Sequence, residues 1–429
     1  MQIQLPRDRL AEFKTVAGRV PPPRCGQRAV LVQAEEGRAF LTAGGDGVAA
    51  RMASPCRGGA GSFAVRLDEV ARASKAQGVL SSARDATLDR EAERLSRLGF
   101  GGAKAFVPID WPAFRVHLAN AMKAAASAKA RYALQLLCLH AQGAVGTDGR
   151  QLYAGNSARL PIPAGEQALV EPPKALMGRA FKGFAQAEAG WDGEALLLRF
   201  GDAWAARLAS QPGPFPAWRS VLPPKSGAKA RLRLGEEAAR LLAERLPRAK
   251  AGAPDETEPL LLELGGAGRV RLSGTGGGIA LKGAKAEGEA VSARFASGFL
   301  LSALEMGFRS FRLHGTERPV VAESGGSAYL WMPLAEERPS APRPAPPETT
   351  ARRRTPMPAK KPAPSAAAPD AQDFDALLAE MTEIREGIQT LSRRAAAACA
   401  ALRSHKTGLR RRERAVKQTL AGLKRLQET

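Results

Sequence analysis

The 429-residue sequence predicts an α+β fold of three repeated domains, with helices laid on antiparallel sheets. Three observations lead there. A short alternating strand that runs straight into an amphipathic helix occurs six times. The copies begin at Gln2, Phe63, Ala105, Ala168, Ala230 and Val291, so four of the five intervals are 61 to 63 residues and one is 42. Between the helices lie paired apolar runs with glycine at the join, the pattern of antiparallel hairpins.

The elements follow in order. "QIQLPRDRLAEFKTVAG" puts Leu10, Phe13 and Ala17 on one helical stripe. "FAVRLDEVARASKAQG" is the second copy, and the short interval after it leaves the first domain about twenty residues short by comparison with the other spacings. In "AFVPIDWPAFRVHLANAM" the stripe is Phe114, Leu118 and Met122, Asp110 is the N-cap, and Pro112 is tolerated in the first turn. "ALVEPPKALMGRAFKGF", "ARLRLGEEAARLLAERL" and "VSARFASGFLLSALEMG" supply the last three strand–helix copies. The segments "RAVLVQAEEGRAFLTAGG", "YALQLLCLHAQGAVGTDG" and "PLLLELGGAGRVRLSG" follow the first, third and fifth helices as hairpins. Those three units resemble one another most, so units pair into domains at 1–103, 104–223 and 224–336.

A Pro/Ala-rich basic linker is expected over 337–371. A basic helical region follows over 372–429. Leu377, Met381, Ile384, Ile388, Leu391, Ala395, Ala398 and Leu402 form a heptad seam, and "LRRRERAVK" is strongly basic. A coiled coil or helical hairpin fits the seam; a DNA-binding basic helix fits the charge.

Net charge is +22. Residues 338–429 carry 19 Lys+Arg against 9 Asp+Glu, and the first 337 residues hold the other 45 and 33. Both parts are basic, which points to a polyanionic partner, and nucleic acid suits this composition better than a membrane. The start "MQIQLPRDRL" is charged and no apolar run reaches a membrane span, so a soluble, cytoplasmic protein is expected. Cys25, Cys56, Cys138 and Cys399 form no CxxC and read as reduced thiols. His117, His140, His314 and His405 are scattered, and neither HExxH nor GxSxG occurs. "GTGGGIALKG" from Gly274 lacks the ending of a phosphate loop and reads as a flexible strand connection. No catalytic residue, metal or cofactor is indicated; the pattern is that of a binding scaffold. In "GTDGRQLYAG", Asp148-Gly149 marks a tight hairpin turn, and the local pattern leaves open whether the turn is also a site.

Three blocks in order carry a resemblance to a known family: "RYALQLLCLHAQGAVGTDGRQL", "PFPAWRSVLPP" from Pro214, and "YLWMPL" at Tyr329–Leu334. On these, residues 1–334 resemble the bacterial DNA polymerase III beta subunit, the sliding clamp. The resemblance implies a non-catalytic processivity factor: a head-to-tail homodimeric ring around duplex DNA, with helices on its inner wall. It implies the DNA polymerase III alpha subunit and the clamp loader as partners, bound by short peptides. The implied peptide pocket uses Leu134, Thr147, Gly149, Arg150, Leu152, Pro216, Val221, Leu330, Met332 and Leu334. The implied DNA contacts are Arg24, Arg131, Tyr132 and Lys174. Lys14, Lys75, Lys123, Lys129, Lys182 and Arg245 lie on or beside repeat helices, facing either DNA or solvent. The chain departs from the family pattern at Arg150-Gln151, at Ala133 and at Ser220, and by the 95 residues beyond Leu334. The short first domain is the one whose edge, in the family, meets the neighbouring subunit. A clamp-like accessory protein that forms no closed ring is therefore the alternative expectation.

Overall fold

The computed structural model describes residues 1–334 apart from 23–27, 46, 83–84, 127–131, 157, 247–256, 266–268, 275–276 and 282. Tyr132, Gly277 and Ala280 are described by their backbone alone. Arg24, Lys129, Arg131 and the expected linker and heptad region at 337–429 lie outside the described residues. The chain divides into two units, Met1–Pro342 and Arg343–Thr429, and every described residue belongs to the first.

Residues 1–103 run β1 (Gln2–Gln4), α1 (Arg7–Ala17), β2 (Ala29–Glu35), β3 (Arg38–Gly44), β4 (Val48–Pro55), β5 (Arg57–Gly58), β6 (Gly61–Arg66), α2 (Leu67–Ala73), β7 (Val79–Ser81) and α3 (Ala86–Ser96). Then come β8 (Phe106–Asp110), α4 (Trp111–Ala124), α5 (Tyr132–Gln135), β9 (Leu137–His140), β10 (Gly143–Thr147), β11 (Gln151–Ala154) and β12 (Ala168–Val170). Two 3₁₀ turns, Lys174–Met177 and Arg179–Phe181, lead to β13 (Gln186–Trp191), β14 (Ala195–Phe200), β15 (Trp204–Ala209) and α6 (Trp218–Val221). The last stretch holds β16 (Ala230–Arg233), α7 (Glu236–Arg245), β17 (Pro259–Leu264), β18 (Val270–Gly274), β19 (Gly277–Ala280) and β20 (Lys285–Gly288). It ends with β21 (Val291–Ala296), α8 (Ser297–Glu305), β22 (Ser310–Leu313), β23 (Val320–Ser324) and β24 (Ser327–Trp331).

The fold is α+β, as expected. Two large antiparallel sheets tie distant parts of the chain together. The eight-stranded sheet runs β6-β2-β3-β4-β15-β14-β13-β8, and the nine-stranded sheet runs β12-β9-β10-β11-β24-β23-β22-β16-β20. Their seams are β4 with β15 (Met52 opposite Trp204) and β11 with β24 (Leu152 opposite Leu330). Smaller sheets close the ends, β5-β1-β7 and β19-β18-β17-β21.

The local causes are visible in the chain. Asp110 accepts from the Ala113 N–H at 2.9 Å and Pro112 sits in the first turn, so α4 starts where the sequence predicts. Leu10, Phe13, Ala17, Phe114 and Leu118 are buried, and Met122 packs against the same core. Helix α4 lies so close on β10 that a Cβ at Gly146 would fall 2.0 Å from the Ala121 carbonyl oxygen; only glycine fits.

Several expected elements differ. The fourth strand–helix copy forms β12 and two 3₁₀ turns, not an α-helix. Pro172-Pro173 removes two donors, and the hydrogen bonds that form are Leu176 N to Pro173 O and Gly178 N to Ala175 O. The hairpin expected from Tyr132 begins at Leu137, because Tyr132–Gln135 makes one helical turn. The glycine-rich stretch at 274–283 is not only a connection: Gly277–Ala280 is a strand paired with β18. The short second unit retains just the three-residue β7 after α2, and then α3, which the sequence reading missed. Its signals are the Asp85 cap, which accepts from Thr87 N, and the Leu88–Leu95 spacing. Leu88 and Leu95 bury Ala29, Leu31 and Ala64 on one face of the eight-stranded sheet. Among the described residues no helix is long and apolar enough to cross a membrane.

Candidate functional site

Side chains alternate along a strand, so the nine-stranded sheet sorts its residues between two faces. Tyr153, Tyr329 and Trp331 join the main core with α4 and α8. Leu152, Ala154, Leu330, Val321, Val145, Cys138 and Leu136 form a second cluster on the opposite face. That face is covered by the segment around α6, through Phe215, Trp218 and Leu222. The seam β11–β24 runs beneath it, extended by Met332 N donating to Arg150 O at 3.1 Å.

The floor of this region is closed: Leu152 is 4% exposed and Leu330 2%. Its rim is open and apolar, with Val221 45%, Met332 42% and Leu334 39% exposed. Val221 lies far in sequence from Met332 and Leu334, and the three account for half of the large hydrophobic residues exposed among the described residues. Pro216 is also exposed. Leu134, on α5, is half-buried; its Cδ1 lies 4.0 Å from where a Cβ on Gly149 would sit.

The Thr147–Leu152 turn is held from within. Gly149 has φ +92°, the conformation expected of the glycine in an Asp-Gly turn. Arg150 N and Gln151 N donate to Asp148 Oδ1 at 2.8 and 2.9 Å. Thr147 Oγ1 donates to Gln151 O at 2.6 Å and accepts from Gly149 N at 3.1 Å, so this buried hydroxyl works inside the turn. Arg150 is exposed beside it.

Trp218 and His140, not singled out from sequence, complete the covered part. Their rings lie 5.4 Å apart, and the Trp218 indole N–H and His140 Nε2 are buried without a hydrogen-bond partner among the described residues. Arg219 stacks over Trp218, its guanidinium carbon 4.5 Å from the ring centroid. Burial pushes the His140 imidazole down to about 4, aided by the Arg219 charge, and burial pushes the Cys138 thiol up to about 12. The signal for both residues was the two-residue alternation of β9 together with an aromatic in "PFPAWRS".

A second feature is a basic surface at the two 3₁₀ turns. Lys174, Arg179 and Lys182 are exposed there, and Arg115 Nη2 donates to Met177 O at 2.8 Å. Arg19, after α1, reaches the same place: its Nη1 lies 3.1 Å from a Cβ position on Gly178. The fold thus brings the turns that carry Lys174 and Arg179 next to Arg19 and to Arg115 of α4. Lys14, Lys75 and Arg245 are exposed elsewhere, while Lys123 pairs with Glu305 at 3.3 Å. Helix α8 is buried almost throughout and contributes no cation. Among the described residues no group of three or more His, Cys, Asp or Glu could hold a metal ion.

A sheet seam joining distant parts of the chain, with helices packed on one face, gives an architecture of the sliding-clamp type. The solved structures similar to this chain bear that out. The Caulobacter crescentus polymerase III beta structure aligns with a TM-score of 0.62 at 17% identity, covering 78% of this chain and 100% of that one. The DNA polymerase III subunit beta of Pseudomonas aeruginosa gives 0.61 at 18%, and that of Thermotoga maritima 0.61 at 15%, each with the same coverage. No family profile and no curated protein sequence matches the chain. The protein is a divergent example of the sliding-clamp fold, recognisable by structure at identities where sequence comparison fails.

Proposed function

We propose that the protein is a non-catalytic DNA sliding clamp that tethers a replicative polymerase and other partners to duplex DNA. The observation that carries this is the apolar rim of Val221, Met332 and Leu334 above the β11–β24 seam. Exposed Met, Leu and Val side chains beside the seam suit the apolar anchors of a partner peptide. The basic surface around Lys174, Arg179 and Arg19 supplies the sequence-independent phosphate attraction that sliding needs. Arg24, Arg131 and Tyr132 remain proposed DNA contacts by resemblance. The three-domain division at 1–103, 104–223 and 224–336 belongs to the same proposal, as does a homodimeric ring. The direct test is retention on circular DNA. The clamp stays on a nicked circle and is lost when the circle is linearised; equal retention on both would remove topological binding.

A second reading has a specific observation behind it. In the first 103 residues the edge sheet ends in the three-residue β7, and the next element in the chain is α3, which packs on the eight-stranded sheet and does not extend that edge. An edge of three residues offers few pairs to a neighbouring strand. On that reading the protein binds DNA or partners without closing a ring. Light scattering over micromolar concentrations separates the two: a dimer supports the ring, a strict monomer the accessory role.

A further inference from the structure

Beyond the groove, the connection from α6 to β16, the turn before β21 and the β22–β23 turn enclose a cleft of about 660 Å³. We propose that this cleft binds a small phosphate-bearing molecule of roughly nucleotide size. Clefts of a few hundred cubic ångströms are the usual size for such ligands. The lining is rich in donors. Lys229 and Arg318 are exposed at its edge, and neither forms an ion pair among the described residues. Ser292 and Thr316 add hydroxyls, and Glu317 is the one carboxylate in the lining.

An ion pair with a buried guanidinium stands behind the wall. Arg312 is buried, at 5% exposure, with its Nη2 donating to Glu323 Oε1 at 2.6 Å and its Nη1 to Pro224 O at 3.3 Å. Its Nε is buried without a hydrogen-bond partner among the described residues. His314 lines the cleft and is buried, and its Nε2 lies 3.4 Å from Arg312 Nη1. A guanidinium only donates, so Nε2 is the acceptor and the proton sits on Nδ1, where the Gly227 backbone takes it. The imidazole is therefore neutral and its geometry fixed. Glu323 neutralises Arg312, so Lys229 and Arg318 against the single lining carboxylate of Glu317 leave the edge with a positive excess, which favours an anion over a cation or a neutral ligand. Pro223, Pro224 and Val291 provide the apolar wall for the rest of such a molecule.

The test uses the full chain at constant ionic strength, with AMP, inorganic phosphate and adenosine as probes. AMP is expected to raise Tm and to bind more tightly than inorganic phosphate, with no effect from adenosine. Lys229→Ala with Arg318→Ala should weaken AMP at least tenfold, since its charge-assisted hydrogen bonds are lost. The charge-matched pair Arg240→Ala with Arg245→Ala, on α7, should leave it unchanged. No response to either anion, an adenosine response equal to that of AMP, or equal loss in both double variants would overturn the proposal.

Discussion

The Tyr329 hydroxyl donates to Gln151 Oε1 at 2.5 Å, and the same amide donates from Nε2 to Asp148 Oδ2 at 2.8 Å. One buried glutamine thus ties β24 to the Thr147–Leu152 turn across the β11–β24 seam. Gln151→Leu leaves the fully buried Tyr329 hydroxyl with fewer partners and is expected to cost about 1–3 kcal/mol. Adding Tyr329→Phe should recover part of that loss. Strictly additive denaturation midpoints for the two changes would show that the bond does not couple them.

The groove is best probed from its rim. Leu152 and Leu330 are floor residues, so truncating either empties a packed cluster and costs about 2–5 kcal/mol, confounding any binding readout. Val221→Ser with Met332→Ser changes exposed positions and should move stability by only about 0.5 kcal/mol each. A polymerase-derived peptide should bind this variant roughly tenfold or more weakly, by analogy with apolar anchors at interfaces. DNA retention should stay as in the parent. Unchanged peptide affinity would remove the rim from the binding surface.

His140 makes stability depend on pH in one direction. Its folded-state value of about 4 lies below the ordinary 6.5, so the unfolded chain takes up the proton first as pH falls. This contribution is whole above about pH 6.5 and is lost towards pH 4. Between pH 7.5 and 5.0 it amounts to about 2 kcal/mol. His140→Phe should flatten the pH dependence by that much, as read from urea midpoints at the two pH values. A variant with the parental slope would show that His140 titrates normally.

Helix α3 hangs on its cap. Asp85 accepts from Thr87 N at 2.9 Å and from Arg66 Nη2 at 2.8 Å, and the Arg66 guanidinium holds its carboxyl below the usual range. Asp85→Ala should speed amide exchange across 86–96 while leaving α4 unaffected. Because the carboxyl value is depressed, the same fraying should appear in the parent as pH falls through the carboxylate range. Equal exchange in parent and variant would mean that burial of Leu88 and Leu95 alone holds the helix.

Deleting 338–429 removes 19 Lys+Arg and 9 Asp+Glu. DNA affinity should fall and its salt dependence flatten, because fewer counterions are released on binding. An unaltered salt slope would assign the tail to another partner.

Much of this was legible in the chain. The strand–helix repeat, the Asp110 cap, the Asp148-Gly149 turn and the hairpins are short-range patterns, set by helical stripes, alternation and turn chemistry within a few residues. The double proline at 172–173 is equally local: two missing donors outweigh the apolar stripe that follows them. Helix α3 falls outside the repeat, and its signals are the Asp85 cap and the Leu88–Leu95 spacing alone. Of the groove residues, the resemblance named Leu152 and Met332 alike; exposure separates them, and exposure depends on what covers each strand face.

The sequence by itself determined the α+β class, the strand–helix pattern of the copies other than the fourth, and the overall positive charge, because periodicity and composition act locally or in bulk. Only the tertiary structure decided which strands form the seams, that Trp218 and His140 pack together on the covered sheet face, and that Arg19 and Arg115 reach Gly178 and Met177. Those contacts join residues tens to hundreds of positions apart. Their energy comes from burying apolar surface and satisfying polar groups in three dimensions, which no window along the chain contains.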